Sequence, residues 1–173
     1  MYTGEKIYLR SYEEYDMDNL KNIMNNYKVR EFLSFNVILP FSTEDQKNFF
    51  KSIPERRKKN IYDFAIVRKE ENDLIGGCVI RNVDFRNSIC TAGFFIDERY
   101  WGHGYGKEAV ILIEKFVFYE LNIQKIKLEV ISDNIRALKL YKKLGYKIEG
   151  TLKKEIFRNG NFFDLILLAK FRE

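Results

Sequence analysis

The sequence predicts a mixed α/β fold: one domain, residues 1–173, on a central, mostly antiparallel sheet. Three observations predict it. The hydrophobic period switches repeatedly between helical and alternating, giving the order β, αα, βββ, α, β, α, ββ. A chain of 173 residues is long enough to bury one core. Hydrophobic residues make up 46% with only two prolines, which is a folded composition and not a linker or disordered one.

The elements follow in order. Lys6 to Arg10 reads as a short strand with Ile7 and Leu9 on one face. Glu13 to Tyr27 reads as a helix, because Met17, Leu20, Ile23 and Met24 recur at helical period. Tyr27 to Pro40 has no single period; a second short helix and then a loop are expected. Ser42-Thr43-Glu44-Asp45 is a helix start with an acidic first turn. That helix continues through Phe49, Phe50 and Ile53 to the basic run Arg56 to Lys59. Tyr62 to Arg68, Leu74 to Val83 and Ser88 to Ile96 read as strands of an antiparallel meander, with turn chemistry at Glu70 to Asp73 and at Arg86-Asn87. After Gly102 to Gly106, a helix to Glu120 buries Ala109, Leu112, Ile113, Phe116 and Val117. In Lys125 to Ile131, Ile126, Leu128 and Val130 alternate with Lys125, Lys127 and Glu129. Ser132 or Asp133 can cap the next helix, which ends at Gly145. Two last strands flank the hairpin signal Asn159-Gly160.

Charge and composition bound the partners. Lys plus Arg number 30 against 25 Asp plus Glu, a formal charge of +5 that favours anionic ligands in general. Cys78, Cys90 and the lone His103 share no metal-ligand spacing, so no metal is expected, and both cysteines read as buried thiols in strands. The longest apolar runs, such as Leu165 to Ala169, are far too short to span a bilayer. Met1 runs directly into a charged strand without a signal-peptide pattern. A cytoplasmic protein without a membrane partner is the expectation. Arg56-Arg57-Lys58-Lys59 and the net charge are the only support for a nucleic-acid-binding module. Such a run is usually a solvated helix end, no RNA motif accompanies it, and no specific nucleic-acid partner is expected.

The most informative segment runs from Phe94 to Ala109: a strand ends, a glycine loop follows, and a helix begins. Backbone N–H groups at a positive helix end make an anion site, and glycines let a phosphate approach closely. Lys107 in the first turn adds a charge. The spacing Gly102-x-Gly104-x-Gly106 is not a Rossmann fingerprint, and no Walker Gly-Lys-Ser/Thr is present. A tight loop also needs glycine for structural reasons alone.

This loop resembles the pyrophosphate-binding loop of the GNAT superfamily of N-acetyltransferases, patterned Gln/Arg-x-x-Gly-x-Gly/Ala. Asn134 to Tyr146 resembles that family's second cofactor motif through Asn134, Ala137, Tyr141, Gly145 and Tyr146. The element order fits the family fold over nearly the whole chain. The resemblance implies a mixed sheet splayed at the cofactor site, helices on both faces, and acetyl-CoA as cosubstrate without a metal. The backbone of Phe94, Phe95 and Ile96 would pair with the pantetheine arm. Loop amides from Gly102, through His103, Gly104, Tyr105 and Gly106, to Lys107 would hold the pyrophosphate. Asn134 would contact the arm, and Ala137 would leave room for it. Tyr141 matches the tyrosine that protonates the leaving thiolate, although it also lies on a helical core stripe. The implied chemistry is direct attack of a neutral primary amine, from a peptide N-terminus or a small molecule, by an enzyme that is a monomer or a homodimer.

Two departures stand out. Trp101 occupies the Gln/Arg position of the loop, a variant associated with the ribosomal-protein N-acetyltransferase-like branch. Thr91 stands where that branch often carries a strand Glu, which leaves the general base unassigned; Asp97 reads as a turn residue. The C-terminal stretch Gly150 to Asp164 resembles the ending of the ribosomal-protein and spermidine N-acetyltransferases, whose hairpin walls the acceptor site. A polyamine acceptor is the alternative, supported by Asn25-Asn26 and opposed by the absence of acidic residues from Phe35 to Ser42. Glu13, Glu14, Asp16 and Asp18 read as a solvated helix face. A CoA-binding sensor without activity is a further alternative.

Overall fold

The computed structural model describes residues 2–33 and 35–173. Met1 and Ser34, which fall in the expected first segment and in the expected helix-and-loop stretch, lie outside the described residues. The first part of the chain supplies β1 (Tyr2–Thr3), β2 (Ile7–Arg10), α1 (Met17–Met24), α2 (Tyr27–Leu33), α3 (Thr43–Lys58), β3 (Tyr62–Arg68), β4 (Leu74–Asp84) and β5 (Ile89–Ile96). The second supplies α4 (Tyr105–Lys115), β6 (Lys125–Ile131), α5 (Ile135–Lys143), β7 (Lys147–Arg158) and β8 (Asn161–Phe171).

One eight-stranded sheet runs β1-β2-β3-β4-β5-β6-β8-β7. Every neighbouring pair is antiparallel except β5 and β6. This is the mixed α/β GNAT-like architecture that the motifs imply. Helices cover both faces because strand side chains alternate. On one face Cys90, Ala92, Ile126 and Leu128 pack with Ala109 and Ile113 of α4. On the other, Ala65, Val67 and Leu74 pack with Leu20, Ile23 and Val29 of α1 and α2. Ile66, between Ala65 and Val67, belongs to the first cluster, as alternation requires.

Several element bounds differ from the periodic reading, each for a local reason. The helix expected from Glu13 to Tyr27 is a 3-10 turn, Glu14–Asp16, followed by α1, which stops at Met24; the second short helix expected after it is α2. At the break between them the Asn25 side chain donates to the Phe41 carbonyl at 2.9 Å and accepts from the Phe41 N–H at 2.8 Å, and the Asn26 side-chain oxygen accepts from the Lys28 N–H at 3.0 Å at the start of α2. Asp16 is not on a solvated face. It is 2% exposed and accepts from Arg10 at 2.6 and 2.8 Å, a buried pair in which each charge offsets the other's lost hydration. β1 was not expected. The helix to Glu120 does extend that far, but Phe116–Glu120 widens to a π-helical turn. The basic run at the end of α3 is partly engaged: Arg56 pairs with Asp63, and Lys58 with Glu55.

Around α5 the cap is neither Ser132 nor Asp133 but Asn134, whose side-chain oxygen accepts from the Ala137 N–H at 3.1 Å. The other end matches expectation. Gly145 has φ +91°, Gly145 N–H donates to the Lys142 carbonyl and Tyr146 N–H to the Tyr141 carbonyl, a Schellman ending. Asn159 and Gly160 both have positive φ, so the last hairpin turns as its sequence predicts.

Candidate active site

The site begins where the sheet comes apart. β5 and β6 pair only through Ile89↔Lys125, Cys90↔Ile126 and Thr91↔Lys127. Beyond Thr91 the strands diverge, although β5 stays paired with β4 as far as Ile96 and β6 with β8 as far as Ile131. The edges of Ala92–Ile96 and Leu128–Ile131 that face each other therefore carry peptide groups without a strand partner, apart from the Ile96 and Ile131 carbonyls, which accept from the Trp101 indole and the Asn134 N–H. A cavity of about 380 Å³ occupies this gap.

One end of the cavity is the glycine loop. Gly102 and Gly104 have φ +83° and +88°, a region that costs any residue with a Cβ, and Gly104 caps α4. Among the described residues, the amides of 102–107 donate to no protein acceptor. They sit at the positive end of an eleven-residue helix. Gly106 faces Leu140 and Ile96, which bring the loop against α5 and the end of β5.

The structure brings most of the residues singled out in the sequence to this cavity. Phe94, Phe95 and Ile96 line it from β5, while Trp101, Gly102 and Gly104 line it from the loop. Tyr105, Gly106 and Lys107 line it from α4, and Asn134, Ala137 and Tyr141 from α5 and its cap. His103 is the exception. Its ring hydrogen-bonds the Trp101 carbonyl through Nδ1 at 2.9 Å and stacks on Tyr105, so the side chain braces the loop and does not line the cavity. Trp101 lines the cavity, but its indole N–H donates to the Ile96 carbonyl at 2.8 Å. It is a strut between strand end and loop, and the Arg136 guanidinium lies 3.2 Å above its ring centroid.

Tyr141 is 7% exposed, with its ring between Phe94 and Tyr146. Burial pushes its phenol pKa well above the ordinary 10.0, so the group is a proton donor at neutral pH. Among the described residues its hydroxyl has no protein hydrogen-bond partner. Asn134 also lines the cavity, with its side-chain oxygen committed to the α5 cap.

These features form a gapped sheet edge, a cradle of free amides and a protonated tyrosine on one cavity, and the comparisons with known proteins agree. A family model described as Acetyltransferase (GNAT) domain matches residues 6–147. The chain belongs to the GNAT acetyltransferases. It is an acetyl-CoA-dependent enzyme that acts on an amine. The SPbeta prophage-derived uncharacterized N-acetyltransferase YokL of Bacillus subtilis is 30% identical over 178 residues, spanning 99% of this chain and 93% of that protein. The spermidine N(1)-acetyltransferase of Vibrio cholerae is 26% identical over 166 residues, spanning 94% and 91%. Among solved structures, ribosomal-protein-S5-alanine acetyltransferase of Vibrio fischeri superposes with TM-score 0.84 at 25% identity, over 98% of this chain and 94% of that one. Spermidine N-acetyltransferase of Vibrio cholerae, in complex with CoA and spermine, shares the fold with TM-score 0.85 at 22% identity, over 96% and 95%.

Sequence reasoning missed most of the other end of the cavity. Val29, Phe32 and Leu33 of α2, with Phe35 just beyond, form its apolar wall. The carboxylate there is Glu129 of β6, held by Arg81 of β4 at 2.8 Å across the intervening β5. In the sequence Glu129 is simply the polar partner of an alternating strand. Only the divergence of β5 from β6 turns it toward a ligand. Thr91, at the position expected to carry a strand Glu, is 3% exposed at the last β5–β6 pair and does not line the cavity. Asp97 accepts from the Arg99 N–H and guanidinium and stabilises the turn after β5. Phe163 and Leu167 of the C-terminal hairpin pack with Phe35 against Ile131, Ile156 and Leu165, and the hairpin contributes no lining residue among the described ones. Among the described residues no group of three or more His, Cys, Asp or Glu could hold a metal ion.

Proposed function

We propose that this enzyme transfers the acetyl group of acetyl-CoA directly to a primary amine, of a peptide N-terminus or a small molecule, with Tyr141 as general acid and Glu129 as general base. The observation that carries this reading is the coincidence, on one cavity, of unpartnered loop amides, a parted sheet edge, a protonated tyrosine and a carboxylate. The residues present fit acetyl-CoA: amides 102–107 suit a diphosphate, Lys107 adds positive charge, and the free edge of β5 suits an amide-bearing arm. When bound, acetyl-CoA supplies an activated acyl group.

The chain's own residues do the rest. Glu129 takes the proton that an ammonium must lose before its nitrogen can attack. The free N–H groups of the β5 edge polarise the carbonyl as charge develops on its oxygen. Tyr141 gives its phenolic proton to the departing thiolate, and the proton that the acylated nitrogen loses restores the phenol. The parted strands hold both substrates in one gap, which supplies the positioning contribution.

A polyamine acceptor is the second reading, favoured by the spermidine N(1)-acetyltransferases of Vibrio cholerae and Escherichia coli among the relatives. The Asn25-Asn26 pair does not support it: both side chains are engaged, with Phe41, Lys28 and Glu98. The test is thiol release from acetyl-CoA, corrected for hydrolysis, against spermidine, spermine, Ser- and Ala-starting peptides, amino sugars and aralkylamines. Release with one class is expected. Failure to bind acetyl-CoA would overturn the reading, and binding without release on any amine would leave a CoA sensor.

A further inference from the structure

A second cavity, of about 190 Å³, lies under α1–α3 and plays no part in the chemistry above. Leu20, Met24, Phe41 and Phe49 wall it, and Tyr12 stands over the sheet beside it. It shares Leu33, Gly93 and Phe95 with the active-site cavity, so the two adjoin at the acceptor end. An apolar cavity of ~150 Å³ is large enough to hold a benzene ring.

The charges of the second cavity cancel. Asp63 accepts from Arg56 through both oxygens, at 2.7 and 2.8 Å. Burial holds the Tyr12 phenol and the Cys78 thiol protonated. A second ammonium entering this space would find no free anion, and an unpaired charge in such a site is costly. An apolar group would meet walls of its own kind.

Gly93 sits where the cavities meet, and its missing side chain keeps the junction open. A Cβ built there would meet only Val79 Cγ1, at 3.4 Å, which is ordinary contact. The fold therefore tolerates a side chain at 93, and what a larger one would fill is the passage. Nothing in the packing of β5 demands glycine.

We infer that the acceptor is an amine with one ammonium group and an aromatic or branched apolar tail, and that the tail passes Gly93 into the cavity under α1–α3. This rests on the acetyltransferase reading for the placement of the amine at Glu129. It names the acceptor class and separates it from polycations. A free aralkylamine and a peptide beginning with an apolar residue present the same chemistry.

Calorimetric titration into the chain saturated with CoA measures acceptor binding without turnover. Phenethylamine and a tripeptide beginning with phenylalanine are compared with ethylamine and spermidine. At least one aromatic amine should bind about tenfold or more tighter than ethylamine, the effect of burying an aromatic group. Which of the two binds identifies the source. Gly93→Val should remove that advantage, with Gly93→Ala intermediate as the milder variant; because Gly93 also lies on the β5 edge, the CoA affinity of each variant is measured first and the amines are compared at CoA saturation. Spermidine binding tightest, or Gly93→Val weakening every amine alike, would overturn the inference. Thiol release with the same amines tests the transferase separately. Aromatic binding without release would refute the transfer reading and keep the cavity assignment, whereas release without an aromatic preference would refute the assignment alone.

Discussion

The loop 102–107 and the wall formed by α2 close opposite ends of one cavity, yet they are made of different material. The loop offers main-chain amides, and its side chains mostly serve to shape it: His103 braces Trp101, and Trp101 ties the loop to Ile96. The α2 end offers side chains, namely Val29, Phe32, Leu33 and Phe35, with Glu129 and Arg81 at its polar edge. A backbone cradle depends on conformation and tolerates side-chain changes. A side-chain wall does the reverse, and can vary its acceptor while the cofactor end stays constant.

That contrast can be broken in graded ways. The largest effect is expected at the reacting centre. Tyr141→Phe removes the proton donor and little volume, and should lower kcat by ~100-fold or more while acetyl-CoA affinity hardly moves. Steady-state kinetics beside a CoA titration decide it, and unchanged kcat removes Tyr141 from the acid role. Next is the cradle. Gly104→Val introduces no clash, since a Cβ there meets only Lys6 Nζ at 3.9 Å, but it forces a branched residue to φ +88°. A cost of ~1–2 kcal/mol should appear as roughly tenfold weaker CoA binding in calorimetry; retained affinity would mean that the amides are not the cradle.

Smaller effects sharpen the comparison. Asn134→Ala deletes the α5 cap, worth ~1 kcal/mol. For a chain of this size the melting temperature should fall by about 2–4 °C in a thermal scan. No change would show that Ser132 or Asp133 can replace the cap. His103→Ala should be smallest. Its ring lies outside the cavity lining, so CoA affinity should stay within about twofold. A tenfold loss would place the imidazole on the phosphate after all.

The two ends also differed in how visibly the sequence announced them. The loop was legible because an anion site at a helix start is local: strand end, glycines and helix are contiguous from Phe94 to Ala109. The second motif was legible for the same reason, as Asn134, Ala137, Tyr141 and Gly145 share one helix and its ends. Its cap was misplaced because Ser132, Asp133 and Asn134 are all capping residues in a row, and only the backbone course selects one. Asp16 looked solvated because its partner Arg10 sits on another element. In the sequence Glu129 is an alternating strand residue, without a mark to separate it from Lys127.

The sequence by itself determined the element order from β3 onward, the glycine loop, and Tyr141 on the helix that follows β6, because each depends on residues near one another in the chain. Only the tertiary structure decided the acceptor side. Val29, Phe32, Leu33, Phe35, Arg81, Gly93 and Glu129 meet because β5 and β6 stop pairing after Thr91, and α2 folds over the gap. A parted sheet is a property of two strands at once, and no local period records where a partner is missing.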